Sequence, residues 1–165
     1  MADDSEFDDF YRGTSHRLLQ YAYAMTGDLG TAQDIVQEAY IRAWQRWSRV
    51  RRYDRPEGWL RLVVVRMATD RWRRLGVARR AGAKAWEPGA AVAPPSEDTV
   101  LLVRALRGIR EQERRAVVLH YLLDLPVSEI ALETGAAEGT VKSWLSRGRA
   151  ALAAELTTDG ASNAH

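Results

Sequence analysis

Residues 126–149 read PVSEIALETGAAEGTVKSWLSRGR, and the fold turns on how this stretch is arranged. Pro126 suits the start of a helix and Gly135 its end, so 127–134 form one short helix. A second helix begins near Glu138 and runs to Leu156. A short helix, a turn of about three residues led by Gly and a longer helix make a helix-turn-helix. Ile130 and the small Ala131, with Val141 and Leu145, are placed to pack the crossing. Thr140, Lys142, Ser143, Arg147 and Arg149 stay outward, where the first turns of such a helix meet base edges in the DNA major groove. The competing reading is an ordinary helical hairpin, which rarely joins a glycine turn to such a set of groove-sized polar side chains.

Upstream, Ser96 followed by Glu97 and Asp98 caps a helix bearing Leu101, Leu102, Ala105, Leu106 and Ile109, and an amphipathic stretch covers 111–123. Residues 76–95 are rich in Gly, Ala and Pro and carry no sustained apolar period, which predicts a flexible linker spanning roughly 25 Å. Before it, Phe7, Phe10, Tyr11, Leu18, Leu19, Ala22 and Tyr23 mark a helix over 5–26, broken at Gly27. Thr31 is expected to cap a second helix whose apolar face includes Ile35, Ala39, Ala43 and Trp47. Asp34, Gln37, Glu38, Ile41 and Gln45 share another face. Residues 48–55 lose the period and read as a basic loop; Pro56 then opens a helix to Leu75. No strand pattern appears. The expected fold is all-α: two small helical domains, 1–75 and 96–157, joined by the linker 76–95 and followed by a disordered tail, 158–165.

Net charge is +2 over 165 residues, but it is unevenly spread. Residues 1–40 carry −6, residues 41–84 carry +11 and residues 85–165 carry −3. The central cations are nearly all Arg, whose planar fork suits phosphate and base-edge contacts, so a polyanion is the expected partner. A merely solvated face would mix signs.

Other chemistries find no support. The absence of Cys removes thiol catalysis, disulfides and thiolate metal sites. His16, His120 and His165 are far apart, and His120 lies in an apolar run that suits a packed ring rather than a ligand. No phosphate loop, His-Glu-x-x-His or nucleotide fingerprint is present. No catalytic residue, metal, cofactor or small-molecule substrate is therefore expected. The start is acidic (Asp3, Asp4, Glu6, Asp8, Asp9) rather than cationic, and no apolar run of about 18 residues occurs, which argues for the cytoplasm and against membrane insertion.

Two motifs carry a family resemblance. Residues 110–152, with RRAVVLHYL at 114–122 and EGTVKS at 138–143, resemble the C-terminal domain of bacterial sigma factors of the extracytoplasmic-function (ECF) type. DIVQEAYIRAW at 34–44 resembles the signature helix of their N-terminal domain, and Trp59-Leu60 through DRWRR at 70–74 resembles their promoter-melting helix. The resemblance implies an alternative sigma factor that binds core RNA polymerase and promoter DNA and catalyses nothing alone. Asp34, Gln37, Glu38 and Ile41 would dock on the clamp helices of the largest polymerase subunit. Arg49, Arg51, Arg52, Tyr53 and Arg55, continued by Arg61, Arg66, Arg73 and Arg74, would bind and melt the −10 element. Cations hold the backbone there and Tyr53 stacks on a base; Trp44, Trp47, Trp59 and Trp72 are expected to pack in the core. Thr140, Lys142, Ser143 and Arg147 would read the −35 element, with Arg149 on phosphate. Ala137, Trp144 and Ser146 stand where the family commonly has Ser, Arg and His, so the promoter sequence does not transfer. The resemblance leaves room for an anti-sigma factor, which no feature of the sequence marks.

Two other classes compete. One is a free-standing helix-turn-helix regulator that binds duplex DNA without polymerase. The other is an interaction module whose basic segment contacts RNA or an acidic protein. The sigma-factor resemblance, whose free members bind DNA poorly, implies that the acidic start folds back on the Arg-rich segment.

Overall fold

The computed structural model describes residues 2–80 and 95–162, which contain helices and turns and no strand. The chain separates into two compact units, Met1–Ala90 and Ala91–His165. No helix among the described residues is long and apolar enough to cross a membrane.

The first unit comprises α1 (Ala2–Thr26), α2 (Leu29–Gln45), α3 (Trp47–Val50) and α4 (Pro56–Arg80). Phe7 meets Trp44 and Trp47 with ring centroids 5.1 and 5.2 Å apart, while Thr14 meets Tyr40, so α1 and α2 run antiparallel. Leu18, Tyr21, Ala22 and Met25 of α1 are buried against Ala32, Ile35, Val36, Ala39 and Ala43 of α2 and Leu60, Val63 and Val64 of α4. The alanines of α2 project nothing beyond Cβ, which lets the helices approach closely. Inside this core Thr14 Oγ1 donates to the Phe10 carbonyl at 2.7 Å. Its single hydrogen is thereby committed, so the Tyr40 hydroxyl donates to Thr14 Oγ1 at 2.6 Å. Burial pushes the Tyr40 pKa up to about 12.

Three local expectations need correction here. The cap of α2 is Asp28, not Thr31: Asp28 has extended backbone and its carboxylate accepts from Gly30 N at 3.2 Å and from Thr31 Oγ1 at 2.8 Å. Gly27 ends α1 with φ 74°, which leaves Asp28 as the first residue placed to cap. The basic loop contains a helical turn, because Trp47 and Val50 are both buried and fix α3 between them. α4 passes Gly76 and continues to Arg80, since a lone Gly costs a helix only about 1 kcal/mol and the residues after it are good helix formers.

The second unit comprises α5 (Glu97–Arg107), α6 (Glu111–Val117), a π-helical turn (Val118–Leu122), α7 (Val127–Thr134) and α8 (Glu138–Ser162). Ser96 caps α5, accepting from Thr99 N at 3.2 Å. Val103, Leu106, Ile109, Val117, Val118, Leu119, Ile130, Val141 and Leu145 form the core. α8 crosses α6 at Gly148, where a Cβ would lie 2.5 Å from Val117 Cγ2 and 3.1 Å from the Glu113 carbonyl oxygen. The stretch 111–123 is not one regular α-helix: its turns widen at the π turn, and Asp124 takes φ 56°. His120 Nδ1 donates to the Leu125 carbonyl oxygen at 2.8 Å, giving that carbonyl, which precedes Pro126, a partner.

The tail also differs from expectation. α8 extends to Ser162, because Thr157 and Thr158 return their hydroxyls to the carbonyls of Ala153 and Ala154 at 2.8 and 2.9 Å instead of competing with the helix. Residues 163–165 of the expected tail, like 81–94 of the expected linker, lie outside the described residues.

Candidate nucleic-acid interface and docking face

The helix-turn-helix is built as its spacing predicts. Gly135 ends α7 in the left-handed conformation, φ 74°, donating to the Ala131 carbonyl at 2.9 Å. Thr134 Oγ1 accepts from Ala136 N at 3.4 Å and bridges the turn. Ile130 and Val141 are fully buried and Leu145 nearly so. With those positions inward, Thr140, Lys142, Ser143 and Arg147 are all exposed on α8. Ala137 offers no side-chain acceptor, and Glu138 supplies the negative charge in the first turn of α8. Arg149 is exposed too, but its guanidinium donates to the Tyr121 hydroxyl at 2.7 Å across the π turn. It borders an apolar cavity of about 360 Å³ lined by Leu102, Leu106, Val117, Leu152 and Leu156.

In the basic segment, burial of Trp47 and Val50 turns the alternate residues outward. Arg49, Arg52, Tyr53 and Arg55 are exposed. Tyr53 is 44% exposed, its ring centroid 6.4 Å from that of Trp59. Arg51 sits lower, its side chain 32% exposed and paired with Asp3 and Glu6 of α1. Arg66 is exposed on α4. Arg61 must be withdrawn from the phosphate track: it is 5% exposed and paired with Glu57, one helical turn back, at 3.6 Å. Arg73 and Arg74 belong to α4, but their side chains, like that of Trp72, lie outside the described ones.

On α2 the buried stripe Ile35, Val36, Ala39, Tyr40 and Ala43 leaves Asp34, Gln37, Glu38 and Ile41 along the opposite side. Ile41 is 47% exposed, an uncommon position for a β-branched apolar residue without a partner surface. Asp34 meets Arg71 of α4 at 3.5 Å and Glu38 meets Arg42 at 3.4 Å. Trp44 was expected in the core and is not: it is 48% exposed, with one edge of its ring on Phe7. It lies three residues after Ile41 and seven after Gln37, a spacing that places it on the same face. Trp47 is buried as expected, and Trp59 is half-buried.

Together these features define an all-α DNA-binding protein with two separate units. Residues 10–77 match the family described as sigma-70 region 2, and residues 99–152 match sigma-70, region 4. The RNA polymerase sigma-E factor of Streptomyces avermitilis is 32% identical over 156 residues, 92% of this chain and 85% of its own. The ECF RNA polymerase sigma factor SigL of Mycobacterium tuberculosis is 32% identical over 134 residues, 78% of this chain and 76% of its own. Among solved structures, the sigma factor RpoE of Bartonella quintana, crystallised with the anti-sigma factor NepR, shares the fold with a TM-score of 0.76. That likeness is at 22% identity and covers 93% of this chain and 98% of RpoE. The chain belongs to the sigma-70 family and is of the ECF type. It is a transcription initiation factor of the class whose regions 2 and 4 bind core RNA polymerase and recognise promoter elements. A free-standing regulator is not favoured, because it gives no account of the region 2 match.

Proposed function

We propose that the two units divide initiation between them in the following way. Core polymerase docks on the α2 face of Asp34, Gln37, Glu38 and Ile41, extended by Trp44. The segment from Arg49 to Arg55 binds the −10 element and holds its opened strand, Tyr53 stacking on an extruded base. Arg66, with Arg73 and Arg74 by their sequence positions, continues the phosphate contacts along α4. Thr140, Lys142, Ser143 and Arg147 read the −35 element from the start of α8, with Arg149 on phosphate. The region 2-like part ends with α4, the Gly/Ala/Pro stretch joins the two parts, and α5 to α8 form the region 4-like part. The protein works in the cytoplasm on its polymerase and catalyses nothing alone. An anti-sigma factor is a further partner that this reading admits.

The observation that carries the reading is the sorting of one short segment: Trp47 and Val50 are buried while Arg49, Arg52 and Tyr53 project. A packed turn that presents cations and one aromatic face has both components that single-strand binding requires. The test is Tyr53→Ala with Arg52→Ala, assembled with core polymerase. Strand opening at a promoter, read by permanganate reactivity, should fall about tenfold or more, the scale of one lost base stack. Duplex binding should change only by the loss of one phosphate contact. Equal loss of both would contradict the single-strand role.

A further inference from the structure

The second unit contains a cavity of about 360 Å³ whose apolar interior neither proposed interface uses. Its walls follow the helical period: Leu102 and Leu106 lie one turn apart on α5, Leu152 and Leu156 one turn apart on α8, and Val118 and Leu122 of the π turn complete the lining. Leu106 and Val118 are almost fully buried, so the floor is packed core, whereas Tyr121 and Leu156 at the rim are 47% and 42% exposed. All the lining side chains are apolar except Arg149 and the hydroxyl end of Tyr121. These two meet at the mouth, where Arg149 Nη1 donates to the Tyr121 hydroxyl at 2.7 Å. The hydroxyl accepts that bond, so its own hydrogen remains to donate. The π turn is what sets Tyr121 there, and such turns are rare and found frequently at functional sites. The mouth thus offers a cation and a neutral donor above an apolar floor, the few polar groups over an apolar pocket that mark a small-molecule site.

We propose that this cavity binds a free medium-chain carboxylate, its alkyl tail among the leucines and its head group on Arg149 and Tyr121. Volume and charge select the ligand. An apolar cavity of about 150 Å³ holds benzene, so one of about 360 Å³ has room for a chain of roughly ten carbons. A guanidinium matches a carboxylate in shape and charge and repels a cationic head group. One carboxylate oxygen accepts from Arg149 and the other from the Tyr121 hydroxyl, so the head group keeps hydrogen-bond partners while the tail leaves water. A ligand of roughly a dozen non-hydrogen atoms reaches a Kd on the order of 0.1 mM at ordinary ligand efficiencies. The consequence for DNA rests on the proposed contact of Arg149 with phosphate: a guanidinium taken by the carboxylate is withdrawn from the duplex, so the two anions compete.

The test is calorimetric titration of the full chain with sodium decanoate at neutral pH, below the concentration at which it forms micelles. Two temperatures are used, because burial of the tail makes the heat temperature-dependent. One decanoate should bind with a Kd on the order of 0.1 mM; no binding at either temperature would overturn the proposal. Ala153 is exposed and lines the cavity, so Ala153→Phe occludes it from outside the core, and circular dichroism checks that the fold is retained. This variant should bind decanoate at least about fivefold more weakly; undiminished binding would place decanoate elsewhere and overturn the site. Decyltrimethylammonium has the same tail and the opposite charge, and should also bind at least about fivefold more weakly than decanoate. Equal binding would mean adsorption to apolar surface and would overturn the carboxylate. Competition is read by fluorescence anisotropy with a short labelled mixed-sequence duplex. Saturating decanoate should weaken duplex binding by the wild type about two- to fivefold and leave that of Arg149→Ala unchanged. If Arg149→Ala alone leaves duplex affinity unaltered, the phosphate role of Arg149 fails while the site stands on calorimetry. If Arg149→Ala weakens duplex binding but decanoate does not, the competition is overturned and the phosphate role stands.

Discussion

Ile41→Ala tests the docking face where charge plays no part. Just under half of the Ile41 side chain, 47%, is exposed, and docking on a partner helix would bury it. The substitution deletes three carbons. At about 0.8 kcal/mol per buried methylene, with half of that burial still to be gained on docking, the loss is about 1 kcal/mol. This corresponds to a Kd for core polymerase about five- to tenfold weaker. The half already packed on the chain contributes a similar amount to the fold, partly offset by the higher helix propensity of Ala. The melting temperature should therefore fall by only a few degrees. Titration of labelled protein with core polymerase well below that temperature reads the docking term alone. Ile41→Met keeps apolar area at the same place and should recover most of the affinity. A Kd within twofold of wild type for the Ala variant would remove Ile41 from the interface, and with it the reason to extend the face to Trp44.

Two further outcomes follow from the core and from the recognition helix. The Tyr40 phenol has its ordinary pKa near 10 when unfolded and about 12 when buried. The folded state thus holds the proton more tightly, and the stability this adds is complete below pH 10 and lost between pH 10 and 12. Tyr40→Phe should lose about 1 kcal/mol at pH 8 with its hydrogen bond and should lack that alkaline component, as read by urea unfolding at pH 8 and pH 11; parallel losses in both proteins would refute it. On α8, Lys142→Ala and Arg147→Ala should weaken promoter duplex binding, and whichever side chain reads a base should alter preference at one −35 position by about 1–3 kcal/mol. A loss uniform over a library of −35 variants would reassign both to phosphate.

How much of this was legible in the sequence follows from how far each signal reaches along the chain. Ser96, Pro126 and Gly135 act on backbone groups within four residues, and the structure uses all three as their types predict. The expectation of Thr31 as the cap of α2 failed because Asp28, an equally good capping type, directly follows the left-handed Gly27 that ends α1. Polar Thr157 and Thr158 suggested fraying, because composition does not reveal that a hydroxyl turns back onto its own helix. Trp44 was misplaced for a different reason. Periodicity assigns a residue to a face, but which face is covered depends on where α1 and α4 lie. The clue was present in its spacing from Gln37 and Ile41. Arg61 was misassigned because a charge count takes no account of partners, although Glu57 at i−4 marked one. The Arg51 contact spans 45 to 48 residues, beyond any local rule, and agrees with the expectation that the acidic start folds back on the Arg-rich segment, though not with any particular pair of residues named beforehand.

Those ion pairs change what the +11 segment means. Within it, Arg42, Arg51, Arg61 and Arg71 each face a carboxylate: Glu38, Asp3 and Glu6, Glu57, and Asp34 respectively. A uniform basic surface would attract DNA anywhere along α4. Pairing instead neutralises the cations nearest the α2 face and the helix junctions, and leaves the exposed Arg46, Arg49 and Arg52 to dominate the local potential. At physiological salt a charge acts over about 8 Å, so such local sorting decides where a strand is held. The pairs differ in how readily they yield. Arg61 is enclosed, and opening it would strand a buried charge. Asp34 and Arg71 are 37% and 38% exposed, in the class whose mutual attraction is worth at most about 1 kcal/mol. Asp34 can therefore exchange Arg71 for a cation of a docking partner at little cost, and its internal pairing in the free chain is compatible with the proposed docking role.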